Sequence, residues 1–382
     1  MSCSKTTVAA DGILEVHWTF PPTTGGVESH LSDLAAALAR EGRRVVVLTG
    51  EAAPSGDPSY TVVSTSLLEL ESVKRGDLTD QDRCARLVTE LSHLVRKHRI
   101  GTIHGHNLHH FHPAAALAIE AVRHQHDLKV LHTFHETWPD LLADSPVYRS
   151  WDRNFSVSRH VQRQCEALLG FKPDLLPLCI DTGAFRPLSE CFRSDAAPVI
   201  LHPARLLPWK GVDVGLAALR TLLDRGLDVT LVITDTQRIA DWNDELVTYR
   251  QQMVDLIRQL RLQGHVRFQS AAYADMPALY AASDIVIYPT IGEEPYGLVP
   301  LEAMSCGRPV VGTLSGGISE TIVDGVTGFL VPKSDPQPLA DRLEVLISDP
   351  DSARRMGAAG RRRVLEQFDS AQYVSALLAT EA

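Results

Sequence analysis

The stretch IVIYPTIGEEPYGLVPLEAMSCGRPVV, Ile285 to Val311, carries the pattern that decides the fold. Ile285 to Tyr288 are β-branched or aromatic with no polar break, as a strand buried on both faces requires. Breakers and polar residues follow from Pro289, Gly297 opens a helix that runs towards Gly307, and Pro309 to Val311 begin another strand. A strand that regains a parallel neighbour through a helix is the unit of an α/β sheet. Towards the C terminus come a strand at Gly328 to Val331 and helices around Pro338 to Leu346, Ser352 to Gln367 and Ala371 to Ala379. Upstream lie strands at Val199 to His202, Val229 to Ile233 and Val266 to Phe268, with helices between them, one from about Asp244 to Arg261. Before these, a Pro-containing stretch from about Asp181 to Pro198 fits neither period and reads as a linker.

An earlier series of the same kind occupies the first half. Ile13 to Trp18, Arg44 to Leu48, Thr102 to His104, Lys129 to Thr133 and Phe155 to Val157 read as strands. Helical spacing appears from Val27, at Asp80 to His98, at Pro113 to Arg123 and at Ser158 to Leu169. The chain of 382 residues exceeds what one core organises. The expectation is therefore two doubly wound domains, residues 1–182 and 183–367, with a terminal helix in 368–382 that returns to the first. A ligand cleft would lie along the carboxyl ends of both sheets.

Composition narrows the function. A hydrophobic fraction of 44% and a charged fraction of 22% are ordinary for a globular chain. The net charge of -10 offers no basic footprint for nucleic acid. No signal-peptide pattern or membrane-length apolar run is seen, so a cytoplasmic protein is expected. The six cysteines are scattered and read as reduced thiols. No oligomeric state is signalled.

Four motifs sit at strand-to-helix turns, where chemistry collects. In Glu294-Pro-Tyr-Gly-Leu-Val-Pro-Leu-Glu302, Gly297 lets backbone amides approach an anion at a helix amino end, and Glu302 can accept hydrogen bonds from a vicinal diol. In Ala204-Arg205-Leu-Leu-Pro-Trp-Lys210-Gly211, two cations share one loop, suited to a departing diphosphate. Gly25 and Gly26 open the first helix, with Glu28 just beyond. His135-Glu136-Thr-Trp-Pro-Asp140 follows a buried strand. The run His104 to His112 invites a metal reading, but no acidic or cysteine ligand accompanies it in sequence, so none is expected. Asp349-Pro350-Asp351 reads as a helix cap.

These motifs resemble those of the family 4 retaining glycosyltransferases of the GT-B fold, two facing Rossmann-like domains with an interdomain cleft, and the resemblance spans nearly the whole chain. It implies that a sugar moves from a nucleotide-sugar to an acceptor with retention and without metal or cofactor. It implies catalytic roles for His135, Arg205, Lys210 and Glu294. Donor contacts would come from Gly25, Gly26, Arg205, Lys210, Glu294, Tyr296, Gly297, Leu298, Val299 and Glu302, and acceptor contacts from Glu28, Glu136 and Asp140. Departures from the family pattern are Ala204 before Arg205, Glu136 for aspartate, Thr234 to Arg238 for a glycine-rich turn, and Leu178-Cys-Ile-Asp181 for N-G-V-D.

The opening TFPPTTGGVESHL and the HETWPD segment look similar to bacterial transferases that glycosylate 2-deoxystreptamine in aminoglycoside biosynthesis. Glu136, Asp140 and Asp144 would suit such a diamine. The donor would be UDP-N-acetylglucosamine or UDP-glucose. Three alternatives stand beside this reading. A nucleotide-sugar epimerase or hydrolase shares the architecture, a non-catalytic sugar-nucleotide-binding protein would not need all of Arg205, Lys210, Glu294 and Glu302, and a nicotinamide oxidoreductase lacks its spaced glycine fingerprint here.

Overall fold

Along Arg44–Thr49, Val45 and Val47 are buried in one apolar layer while Val46 and Leu48 are buried in another, the period-two signature of a strand covered on both faces. The structure, a computed structural model, describes residues 11–23, 25–50, 57–111, 113–137, 147–192, 197–203, 205–234 and 244–380. Seven parallel strands make the first sheet: β1 Gly12–Val16, β2 Arg44–Thr49, β3 Thr61–Ser64, β4 Ile100–His106, β5 Lys129–Phe134, β6 Arg153–Ser156 and β7 Asp174–Leu175, in the order β3-β2-β1-β4-β5-β6-β7. Six more make the second: β8 Val199–His202, β9 Thr230–Thr234, β10 Val266–Gln269, β11 Ile285–Tyr288, β12 Val310–Thr313 and β13 Gly328–Val331, in the order β10-β9-β8-β11-β12-β13. This is the doubly wound α/β arrangement, twice over.

The winding reverses where β1 pairs with both β2 and β4, and where β8 pairs with both β9 and β11. Crevices open outside the strand ends at such reversal points. The residues following β1, β4, β8 and β11 are therefore the ones the fold presents to a ligand.

Several elements match their sequence reading closely. Helix Asp80–His98 starts at Thr79, whose hydroxyl accepts from the Asp82 amide at 3.1 Å. Helix Arg159–Leu169 begins one residue later than expected because Ser158 is its cap, accepting from Val161 N at 3.1 Å. β3, β7 and helix Leu70–Arg75 were not legible. β3 is partly exposed along its length, and β7 has only two residues, too short for either period. The stretch read as a linker is tied down: Arg361 donates to the carbonyls of Thr182, Phe185 and Ser305.

After helix Pro350–Gln367 the chain turns at Phe368, bonds to Ile180 through main-chain contacts on both sides, and enters helix Ser370–Ala379. Tyr373, Val374 and Leu377 of that helix share an apolar cluster with Leu31, Leu34 and Leu38 of the first domain's helix Gly26–Arg40. Among the described residues, no helix is long and apolar enough to cross a membrane.

Candidate active site

On the second-domain side, β8 runs into a loop holding Arg205 and a short 3-10 turn at Pro208–Lys210. Gly211 closes it with φ +71°, and a Cβ there would lie 2.0 Å from the Pro289 carbonyl, so only glycine lets this loop pack on the exit of β11. Thr290 and Ile291 both donate to the Trp209 carbonyl, fixing the two loops to each other. Lys210 is thereby buried, its Nζ 3.8 Å from the centre of the Trp209 ring and 2.6 Å from Glu294 Oε2. Tyr288 donates its hydroxyl to the same carboxylate oxygen at 2.9 Å. Burial, partly offset by Glu294, brings the Lys210 ammonium down to about 8.

Glu294 is held from behind. Its amide donates to Ser315 Oγ at 2.8 Å and its carbonyl accepts from Gly317 N at 2.8 Å. Gly316 has φ +38°, and a Cβ there would lie 2.1 Å from the Glu294 carbonyl oxygen. Gly297, at φ +87°, then turns the chain into helix Leu298–Ser305, whose first amides have no carbonyl within the helix to bond. Glu302 lies buried within it and accepts from Tyr280 Oη at 2.5 Å. Burial raises its carboxyl to about 7.

The first-domain side is built differently. Gly25 caps helix Gly26–Arg40 with extended backbone, and a Cβ on it would lie 2.1 Å from Glu28 Oε2; that carboxylate is anchored by Thr19, whose hydroxyl donates to Oε1 at 2.5 Å. A Cβ on Gly26 would sit 3.9 Å from Leu298 Cδ1, so the amino ends of the two helices meet across the cleft, a pair of partial positive charges at one place. His135 follows β5 and is held by Asn107, whose Oδ1 accepts from His135 N at 2.7 Å and Glu136 N at 3.3 Å. Burial, then the neighbouring imidazoles of His106, His30, His17 and His104, push the His135 ring well below the ordinary histidine range.

Two adjoining cavities result. Arg205, Glu294, Leu298, Gly25 and Gly26 line both. The second-domain cavity continues to Thr234, Tyr273, Val299 and Glu302, and the first-domain cavity to His17, Trp18, Glu28, His135, Glu136 and Trp209. Chemically, one end offers cations and helix amino ends for an anion and a carboxylate for hydroxyls. The other offers aromatic rings, imidazole and carboxylates for a polar ring system.

The expected site residues thus converge, with two qualifications. Tyr296 Oη is already used, donating to the Leu178 carbonyl at 2.8 Å, so the residue joins the domains and offers the cavity only its ring. Asp140, with Asp144, lies outside the described residues. The reading of the histidine run also needs correction: an acidic partner does exist, because Glu15 of β1 brings Oε2 to 2.7 Å from His106 Nε2 and 3.1 Å from His104 Nδ1, a trio whose ligand atoms could surround a metal ion. Asp349 is a helix cap, accepting from Ser352 N at 2.9 Å. Residues the sequence reading missed are Glu15, His106, Asn107, Trp209, Tyr288 and Tyr273. Glu15 carried a signal, a carboxylate inside an apolar strand. Tyr273 carried none: its hydroxyl donates across the domains to Asp33 Oδ2 at 2.9 Å, a contact only the fold creates.

Comparison with known proteins accounts for both domains. Residues 24–183 match the family described as Glycosyltransferase Family 4 and residues 192–363 that described as Glycosyl transferases group 1. A glycogen synthase of Mycobacterium tuberculosis is 28% identical, over 94% of this chain and 91% of its own. A GDP-mannose-dependent monoacylated alpha-(1-6)-phosphatidylinositol monomannoside mannosyltransferase of Corynebacterium glutamicum is 28% identical over 90% and 91%. Among solved structures, sucrose-phosphate synthase from Thermosynechococcus elongatus superposes with a TM-score of 0.79 at 20% identity, covering 97% of this chain and 98% of its own. Anabaena HepE in complex with UDP-glucose gives 0.75 at 21%, covering 97% and 99%. The chain belongs to these glycosyltransferases, and its fold is GT-B.

Proposed function

We propose that this glycosyltransferase moves a hexose or N-acetylhexosamine from UDP-glucose or UDP-N-acetylglucosamine to a small hydroxylated, amine-bearing acceptor, with retention of configuration and without a metal. The observation that carries the reading is the meeting of Arg205, the Lys210–Glu294 pair and two helix amino ends where the two cavities join. Breaking the anomeric bond leaves negative charge on the diphosphate, and preorganised cations and amides at that point stabilise it without a divalent ion. In this reading the Leu298 and Val299 amides and Gly25 and Gly26 approach the diphosphate, Glu302 accepts from the ribose hydroxyls, and Glu294 and His135 face the transferred sugar. Retention proceeds by attack on the face the diphosphate leaves, with the leaving phosphate accepting the acceptor's proton; we assign no protein nucleophile.

For the acceptor, Glu28 and Glu136 place carboxylates beside Trp18 and Trp209 in the first-domain cavity, a combination suited to ammonium groups on a ring. An aminocyclitol such as 2-deoxystreptamine, and hence a step in aminoglycoside biosynthesis, is the acceptor we favour. Purified enzyme assayed with UDP-glucose, UDP-N-acetylglucosamine and GDP-mannose against aminocyclitols and neutral polyols, with mass spectrometry of products, tests the reading. Transfer to an aminocyclitol supports it. Transfer only to neutral polyols, or from GDP-mannose alone, replaces the acceptor or the donor. Free sugar or an epimer without acceptor marks the hydrolase or epimerase alternative.

A further inference from the structure

Behind the first-domain cavity lies a buried cluster that the transfer chemistry leaves unexplained. Glu15, His30, His104, His106 and His135 are almost wholly excluded from solvent, and they come from β1, β4, the loop after β5 and the first helix. Glu15 Oε2 is 2.7 Å from His106 Nε2, and His106 Nδ1 is 2.9 Å from His135 Nε2. The three side chains form one hydrogen-bonded line ending at the cavity wall.

The direction of that line follows from the chemistry of its ends. A carboxylate can only accept, so His106 must donate from Nε2. A neutral imidazole that donates from one nitrogen accepts at the other, so His106 Nδ1 accepts, and His135 donates to it from Nε2. The His135 Nδ1 is then left as a bare acceptor, and it has no hydrogen-bond partner among the described residues. The opposite direction would need one further proton, on Glu15, and would leave His135 protonated at Nδ1. A charged His106 would also reverse the last step. The lock therefore holds only while His106 is neutral. His104 fits the same pattern: the Thr133 hydroxyl lies 2.8 Å from its Nε2, leaving Nδ1 towards Glu15 at 3.1 Å.

We propose that Glu15 and His106 are positioning residues that lock His135, a residue of the cleft wall, in its Nε2–H tautomer and keep its Nδ1, buried in the ligand-free protein, as a hydrogen-bond acceptor for a donor group of the bound substrate. The part that concerns transfer rests on the reading of His135 as a sugar-facing residue; the tautomer does not. Wrongly set tautomers cost catalysis heavily even where geometry is kept.

The test uses full-length enzyme with 15N-labelled histidine, without ligand, at neutral pH. Ring-nitrogen shifts assigned through His106→Asn and His135→Gln should show both rings neutral and protonated at Nε2. Protonation of His135 at Nδ1, an imidazolium at His106, or one equivalent of copurifying metal by elemental analysis would overturn the proposal. Glu15→Gln, whose amide can present either a donor or an acceptor, should turn the single His135 tautomer into a mixture and lower kcat/KM by about tenfold or more. Affinity for UDP should be unchanged, because Glu15 is not among the residues assigned to the nucleotide. If Glu15→Gln does not fold, His106→Asn replaces it: an amide oxygen near the position of Nδ1 should keep His135 protonated at Nε2 and retain more activity than His106→Ala. Unchanged tautomers and rates in Glu15→Gln, or equal rates in the two His106 variants, would refute the lock. Normal transfer by His135→Ala with the expected ring shifts would instead refute the sugar-facing role and leave the lock standing.

Discussion

On the second-domain side, the cleft is lined by charged groups from two loops and the helix that follows one of them: Glu294, Glu302, Arg205 and Lys210. On the first-domain side it is lined by the imidazoles of His17 and His135 and the ring of Trp18, with His106 and Glu15 behind His135. In the proposed function the difference follows what each side must meet. A diphosphate is a fixed anion, so cations and helix amino ends suit it whatever sugar it bears. A sugar or acceptor is neutral or weakly charged and varied, so hydrogen-bond direction and ring surface count for more than net charge.

The largest effect should come from the charged side. Lys210→Ala leaves Glu294 buried beside Tyr288 without its cation, and breaking one partner of a buried pair costs about 3–5 kcal/mol of stability. Turnover should fall by about a hundredfold or more, since a preorganised donor to the leaving group is removed. Steady-state kinetics with thermal denaturation would check both, and a Lys210→Ala enzyme of normal rate would move the diphosphate elsewhere.

The next effect concerns how the halves are joined. Truncation after Gln367 removes Tyr373, Val374 and Leu377 from the cluster they share with Leu31 and Leu38. We expect a lower melting temperature and a higher ratio of donor hydrolysis to transfer, with nucleotide binding retained, because closure excludes water from the reacting sugar. An unchanged ratio and melting temperature would deny the helix any part in closure.

Acidity should separate the halves further. Burial raises Glu302 and, across the interface, Asp33 to about 7, above the usual carboxyl values near 4. Between those limits the folded chain binds protons that the unfolded chain has released, so the stability of the ligand-free protein should decline as pH rises from about 4 to about 7 and then level off. Glu302→Gln and Asp33→Asn should flatten that slope. The kcat/KM for donor should rise as Glu302 ionises near 7 and fall as Lys210 discharges near 8. A flat profile from pH 6 to 9 would contradict both assignments.

The smallest expected effect is none at all. Excess EDTA should leave transfer intact, as side-chain cations take the role of a divalent ion. Loss of activity restored by magnesium or manganese would reverse that reading.

The charged half was legible in the sequence because its residues fall in two short groups along the chain, each at or within two turns of a strand-to-helix turn. The spacing from Glu294 to Glu302, and Gly211 after Lys210, could be read without a fold. The strands β8, β11 and β13 were also placed to the residue, since short, mostly apolar runs are bounded sharply by Pro, Thr or Asp. The other half was only partly legible. His135 stood in a motif, but Glu15, Asn107 and His106 become its partners only when β1, β4 and β5 lie side by side, and parallel pairing leaves no short-range sequence trace. Tyr273 and Asp33 belong to different domains, so their contact depends on the way the domains face each other.

The division of labour between the halves is tested most directly by calorimetric titration of UDP into wild-type enzyme, Glu302→Ala and His135→Ala. We predict that Glu302→Ala weakens UDP binding by about 10- to 100-fold, the worth of charge-assisted hydrogen bonds to a diol, and that His135→Ala binds UDP as the wild type does while losing transfer. Equal loss of UDP affinity in both variants, or loss in His135→Ala alone, would contradict the assignment of the nucleotide to the second domain and of the sugar to the first.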